Sequence, residues 1–120
     1  MTFTITVKRN PGYVRYDVAG LASLKSFADL VVRVSAETEQ FEDDRVLLDL
    51  RKIENKMSSS EQHLVGEMAA ARLPLLFKLA SIVRPGDITR NSERAAVSRG
   101  LQVQVFDAEP PALDWLLHDH

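Results

Sequence analysis

The run Val46-Leu47-Leu48-Asp49-Leu50 limits what this chain can become more than any other stretch. Its nearly continuous apolar character suits a strand covered on both faces, which points to an interior strand of a mostly parallel sheet. Parallel neighbours need crossover connections, usually helical, so the rest of the chain should supply helices for both layers. Sheets of this kind place ligands at the carboxyl ends of their strands. Here that end is charged and then polar, because Arg51, Lys52 and Lys56 lead into Ser58-Ser59-Ser60. Backbone donors at a helix start, beside three cations, would form an anion or phosphoryl site.

The flanking segments agree with an α/β sandwich. Phe3, Ile5 and Val7 alternate with polar residues, and after Asn10-Pro11-Gly12 the alternation resumes as Val14, Tyr16 and Val18, which predicts an N-terminal β-hairpin. Leu24, Phe27, Leu30, Val31 and Val34 then fall on one helical stripe that ends near Gln40. A second helix is expected from about Ser58, with Leu64, Val65, Met68, Ala69 and Arg72 inward, Gly66 a mild weakness and a break at Pro74. Leu75, Leu76 and Phe77 are expected to pack on the sheet, followed by a short strand over Ala80–Val83. Thr89 to Asn91 offer caps for a third helix from Ser92 to Arg99, and Gly100 is placed to end it. Leu101, Val103 and Val105 alternate as a half-wet edge strand, and Asp107 to Pro111 start a last helix anchored by Trp115. The expected order is β-β-α-β-α-β-α-β-α in one domain spanning 1–120, a mixed, mostly parallel sheet with about four helices.

Several function classes find no support. The fifteen Lys and Arg are scattered among seventeen Asp and Glu, so the basic stripe that a nucleic-acid footprint needs is missing. With no cysteine, thiolate catalysis and cysteine-ligated zinc are excluded. The most apolar region, Leu73 to Val83, is interrupted by Pro74 and Lys78 and falls short of the roughly 20 residues of a membrane span. A soluble, cytoplasmic protein without cofactor is expected. His63 and Glu67 share a helix face but lack further ligands, and His118 and His120 sit in a tail. Neither a Gly-x-Ser-x-Gly elbow nor a Gly-x-x-x-x-Gly-Lys loop is present, so an enzyme is not expected.

The element order, and above all Asp49-Leu50-Arg51-Lys52-Ile53 through Met57-Ser58-Ser59, resembles the STAS domain of bacterial anti-anti-sigma factors, in particular the divergent SpoIIAA-like group. In that family a strand ending in Asp-Leu leads to Asp-Ser-Ser-Gly at a helix N-terminus, where an anti-sigma kinase phosphorylates a serine. Aligned without a gap, the motif falls on Met57-Ser58-Ser59-Ser60, with Met57 in place of the aspartate and Ser60 in place of the glycine. Val105-Phe106-Asp107 and Ala112-Leu113-Asp114-Trp115-Leu116 are similar to the SpoIIAA-like group's closing strand and helix, so the resemblance spans roughly 12 to 118. It implies a SpoIIAA-like (STAS) sandwich, a regulatory protein partner, and Ser58 or Ser59 as the phosphorylation or anion site, with Arg51, Lys52 and Lys56 as its contacts.

Two alternatives stand beside these. Ser58 with Glu61, and Ser59 with Gln62, each fit a capping box, which needs no function. The surplus of apolar residues from Leu73 to Phe77 also suits a small apolar or anionic ligand held between the second helix, Pro74–Phe77 and the sheet. The oligomeric state is not encoded in any feature of the sequence.

Overall fold

The opening hairpin forms where alternation and turn chemistry place it. Strands β1 (Thr4–Asn10) and β2 (Tyr13–Leu21) pair antiparallel around Pro11-Gly12. Gly12 takes φ 88°, a left-handed value that a side chain would strain, while Pro11 presets the preceding turn position. The chain continues through α1 (Leu24–Phe41), β3 (Arg45–Glu54), α2 (Ser59–Arg72), β4 (Lys78–Ile82), α3 (Asn91–Ser98), β5 (Val103–Phe106) and α4 (Glu109–Leu117). This is the order expected from the sequence. The structure is a computed structural model that describes residues 3–54, 57–88 and 90–118.

The strands stand in the order β1-β2-β3-β4-β5, and β2 to β5 are parallel. Because successive parallel strands advance in one direction, crossovers of one hand carry α1, α2 and α3 to the same face. One core lies there, built from Val14, Tyr16 and Val18 of β2, Val46 of β3, Leu30 and Val34 of α1, and Ala69 and Ala96 of α2 and α3. The opposite face is left to α4, whose Ala112 and Leu116 close over Leu47, Ala80 and Ile82. Val46 and Leu47 are both fully buried yet belong to opposite cores, so β3 is covered on both faces. Val103 packs toward the first core while Gln102 is exposed, which fixes the register expected for the edge strand.

Several details differ from expectation. The inner side of α2 is Gln62, Val65, Gly66 and Ala69, whereas Leu64 is 45% exposed and Arg72 also faces outward. The cause is close packing on α3: a Cβ built on Gly66 would stand 2.2 Å from the Ser92 carbonyl oxygen. Gly66 is therefore a contact point between helices and not a weakness. Ser92 Oγ donates to the Gln62 carbonyl at 2.7 Å, and Asn91 Nδ2 donates to Gln62 Oε1 at 2.9 Å, fastening the pair. After α2, Leu73 and Leu76 turn inward but Leu75 is 75% exposed, since the turn forced by Pro74 cannot aim all its side chains at the sheet. α3 begins after Arg90, which is left-handed at φ 60° and gives no side-chain cap; Thr89, expected to cap, lies outside the described residues.

The attachment of α4 also differs. Trp115 is half-buried against Phe106, with ring centroids 5.9 Å apart, and the fully buried anchors are Ala112 and Leu116. The helix is further held at its carboxyl end. Lys78 Nζ donates to the carbonyls of Trp115 and His118, each at 2.7 Å, and Arg45 Nη1 donates to the Leu116 carbonyl at 3.2 Å. Arg45 and Lys78 are register partners on β3 and β4, so two neighbouring cations share the negative end of one helix. The apolar rings of Phe77 and Trp115 lie under the Lys78 ammonium, at 5.6 and 4.9 Å.

Candidate functional site

The carboxyl end of β3 delivers the chain to the start of α2, as the strand-then-serine pattern requires. Ser58 is the N-cap in extended conformation, with φ −69° and ψ 164°. Its Oγ accepts from the Glu61 amide at 3.2 Å, and Glu61 Oε1 accepts from the Ser58 amide at 3.1 Å. This reciprocal pair is a capping box, so the helix start is closed by its own side chains. Ser58, Ser59 and Ser60 are all exposed, and Met57 just before them turns into the first core. The arrangement presents a row of hydroxyls on a rigid helix end.

The cations are distributed less simply. Arg51 is committed to Asp49, with Nη2 at 2.6 Å from Oδ2 and Nε at 3.0 Å from Oδ1. Lys52 is exposed and makes no ion pair with a described residue. Lys56 lies outside the described residues.

Asp49 belongs to a charge cluster that sequence reasoning did not assemble. On the α4 face of the sheet, beyond the reach of α4's apolar side, Arg15 of β2 binds Asp49 at 2.7 Å, Asp17 at 3.0 Å, and Glu109 of α4. The hydrogen bond from Arg51 holds the Asp49 carboxyl below its usual range; burial opposes this, while the Arg51 backbone amide and the charge of Arg15 reinforce it. Burial works against the charge on Arg15, yet its hydrogen bonds to Glu109 and Asp17 hold the proton more firmly than in water. The signal was Asp49 itself, a lone acid inside an apolar run, and the period-two alternation that puts Arg15 on the same face. The cluster ties β2, β3 and α4 together and leaves no charge in it without a counter-ion.

A second feature lies between the sheet and the three helices on the first face. There a cavity of about 130 Å³ is bounded by α1, α2, α3 and strands β3 to β5. Leu73 reaches it, but Leu75, Leu76 and Phe77 are not part of its wall, which moves the cavity away from the segment expected to hold a ligand. Among the described residues His63 has Glu67 as its one acidic neighbour, at 3.5 Å, and no group of three or more acidic or histidine side chains could hold a metal. No helix among the described residues is long and apolar enough to cross a membrane.

No protein-family model matches the chain, and no curated protein is similar to it in sequence. Solved structures are similar in fold. An anti-sigma factor antagonist from Mycobacterium paratuberculosis superposes with a TM-score of 0.65 at 14% identity, covering 96% of this chain and 94% of that one. An uncharacterised protein of the DUF3478 family with a SpoIIAA-like fold, from Shewanella loihica PV-4, superposes with a TM-score of 0.59 at 15% identity over the same shares. The fold is thus the SpoIIAA-like, STAS-type sandwich, as the sequence resemblance implied.

Proposed function

We propose that this chain is a regulatory, non-enzymatic protein-interaction module whose docking surface is the start of α2 and the charged end of β3. The observation that carries the reading is Ser58. It caps α2 from an exposed position at the carboxyl edge of the sheet, in a fold shared with an anti-sigma factor antagonist. A phosphate on Ser58 or Ser59 would meet the positive end of the helix dipole and add up to two negative charges to the surface. The nearby Glu61 carboxylate opposes that charge and offsets part of the stabilisation by the dipole. Lys52, which makes no ion pair with a described residue, would meet an acidic partner or a phosphate together with Lys56, and Arg51 joins them only by leaving Asp49. The partner is a regulatory protein of the anti-sigma kind.

The test uses tagged wild type, Ser58→Ala and Ser58→Asp as baits in extract from the cells that make the protein. A partner retained by wild type and Ser58→Ala but lost by Ser58→Asp supports docking at this surface. Identical partners for all three baits, with matching thermal melts, assign Ser58 to helix capping alone.

A further inference from the structure

The cavity between the sheet and α1–α3 follows from the same small residues that let α2 and α3 approach. Gly66 lets α2 and α3 meet each other, and Ala69 and Ala96 line the space beneath them with small side chains. Leu30, Val31 and Val65 make its upper wall, and Leu48, Leu79 and Val103 its floor.

One polar group breaks that floor. Along β4, Ala80 and Ile82 join the opposite core while Leu79 and Ser81 face the cavity. Ser81 is 7% exposed, and its hydroxyl forms no hydrogen bond with a described residue. No fully buried side-chain polar atom among the described residues lacks a partner, so this hydroxyl is open to the cavity, where a ligand or a water can meet it. The charged groups at the rim are already matched: Asp87 accepts from Arg84 at 3.1 Å, and Glu93 accepts from Arg90 at 2.8 Å and from the Val105 amide at 2.8 Å. A ligand carboxylate would find no unmatched cation there.

From this we infer that the cavity is a binding site for a small neutral molecule of about one ring, apolar except for a single hydroxyl or carbonyl that meets Ser81. The size supports that class, since an apolar cavity of about 150 Å³ takes up benzene. It is too small for a drug-sized ligand, whose pockets begin near 300 Å³. The site stands independently of docking at Ser58, because none of its polar groups belongs to the capping box.

The test is a titration of the ¹³C-methyl-labelled domain with benzyl alcohol, toluene and sodium benzoate, read by two-dimensional NMR. Benzyl alcohol and toluene should give saturable shifts confined to cavity methyls such as those of Leu30, Val31, Val65 and Val103, and benzoate should give none. Ser81→Ala should weaken benzyl alcohol about 2- to 10-fold and leave toluene unchanged, the loss expected for one neutral hydrogen bond. Ala69→Leu, checked for folding by its methyl spectrum, should weaken both by filling the space. If Ala69→Leu does not fold, Ala96→Val serves the same purpose with less added volume. Absence of saturable shifts with benzyl alcohol overturns the site, and benzoate binding as tightly as benzyl alcohol overturns the class. Unchanged benzyl alcohol binding in Ser81→Ala removes the role given to the hydroxyl.

Discussion

Replacing Gly66 by alanine sets two effects of opposite sign against each other. In a helix interior, alanine is favoured over glycine by about 1 kcal/mol, so propensity alone predicts a more stable protein. The packing predicts the reverse. The new Cβ would lie 2.2 Å from the Ser92 carbonyl oxygen and 2.9 Å from the Ala95 Cβ. Comfortable contact between carbon atoms begins near 3.5 Å, so α3 would have to withdraw by about an ångström. The atom met first is backbone, and no rotamer change relieves it. Overpacking of this kind costs about 1–3 kcal/mol. Withdrawal also loosens the hydrogen bonds from Ser92 and Asn91 to Gln62, together worth about 1–3 kcal/mol. After the propensity gain, the net loss should be about 1–5 kcal/mol, a large part of the roughly 5–15 kcal/mol that holds a domain folded. Urea unfolding followed by circular dichroism measures it. Gly86→Ala is the control, because a Cβ there meets nothing within 4 Å and should change stability by no more than about 1 kcal/mol. A Gly66→Ala midpoint equal to or above wild type would refute the close approach of α2 and α3.

Three further outcomes are expected. Leu116→Ala should cost about 2–5 kcal/mol, whereas Trp115→Ala should cost roughly half of the 3–5 kcal/mol usual for a buried tryptophan; thermal melts that rank them the other way would contradict the placement of α4. Asp49 titrates below its unfolded-state value near 4, so its contribution is complete above that pH and is lost as pH falls through the folded-state value. Asp49→Asn should therefore be less stable than wild type at neutral pH and lose less on acidification, and parallel acid limbs in urea midpoints would show that the cluster contributes nothing. Ser58→Ala should cost about 0.5–2 kcal/mol through the lost cap, with Ser58→Asp close to wild type, since aspartate also caps; equal losses in both variants would remove the capping box.

The element order and sheet topology were legible because they rest on local signals. Val46 to Leu50 marked the central strand, Pro11-Gly12 the hairpin, and Ser58 with Glu61 the start of α2. The errors share a cause, which is that periodicity reports an amphipathic stripe but not which neighbour the stripe meets. On α2 the large Leu64 looked inward, yet the contact with α3 turns Gly66 to the inside and leaves Leu64 exposed, while Val65 and Ala69 lie inward as expected. Lys78 was read only as an interruption of an apolar segment, and its role in holding α4 depends on residues 37 and 40 positions away. The cluster of Arg15, Asp49 and Glu109 joins three distant segments and could be assembled only after the strands were in register.

Amide hydrogen exchange of the domain, free and bound to the partner recovered with Ser58 unmodified, tests the docking surface most directly. The Ser59 and Ser60 amides have no intrahelical acceptor and should exchange readily in the free domain, whereas the Ser58 and Glu61 amides are held by the capping box and the Gln62 amide by the Ser58 carbonyl. Binding should slow exchange over residues 57–62 and the end of β3, and Ser58→Asp should abolish that protection while leaving the strands as protected as before. Protection confined to the β1 edge or to α4, with residues 57–62 unchanged, would place the partner elsewhere and contradict the proposed function.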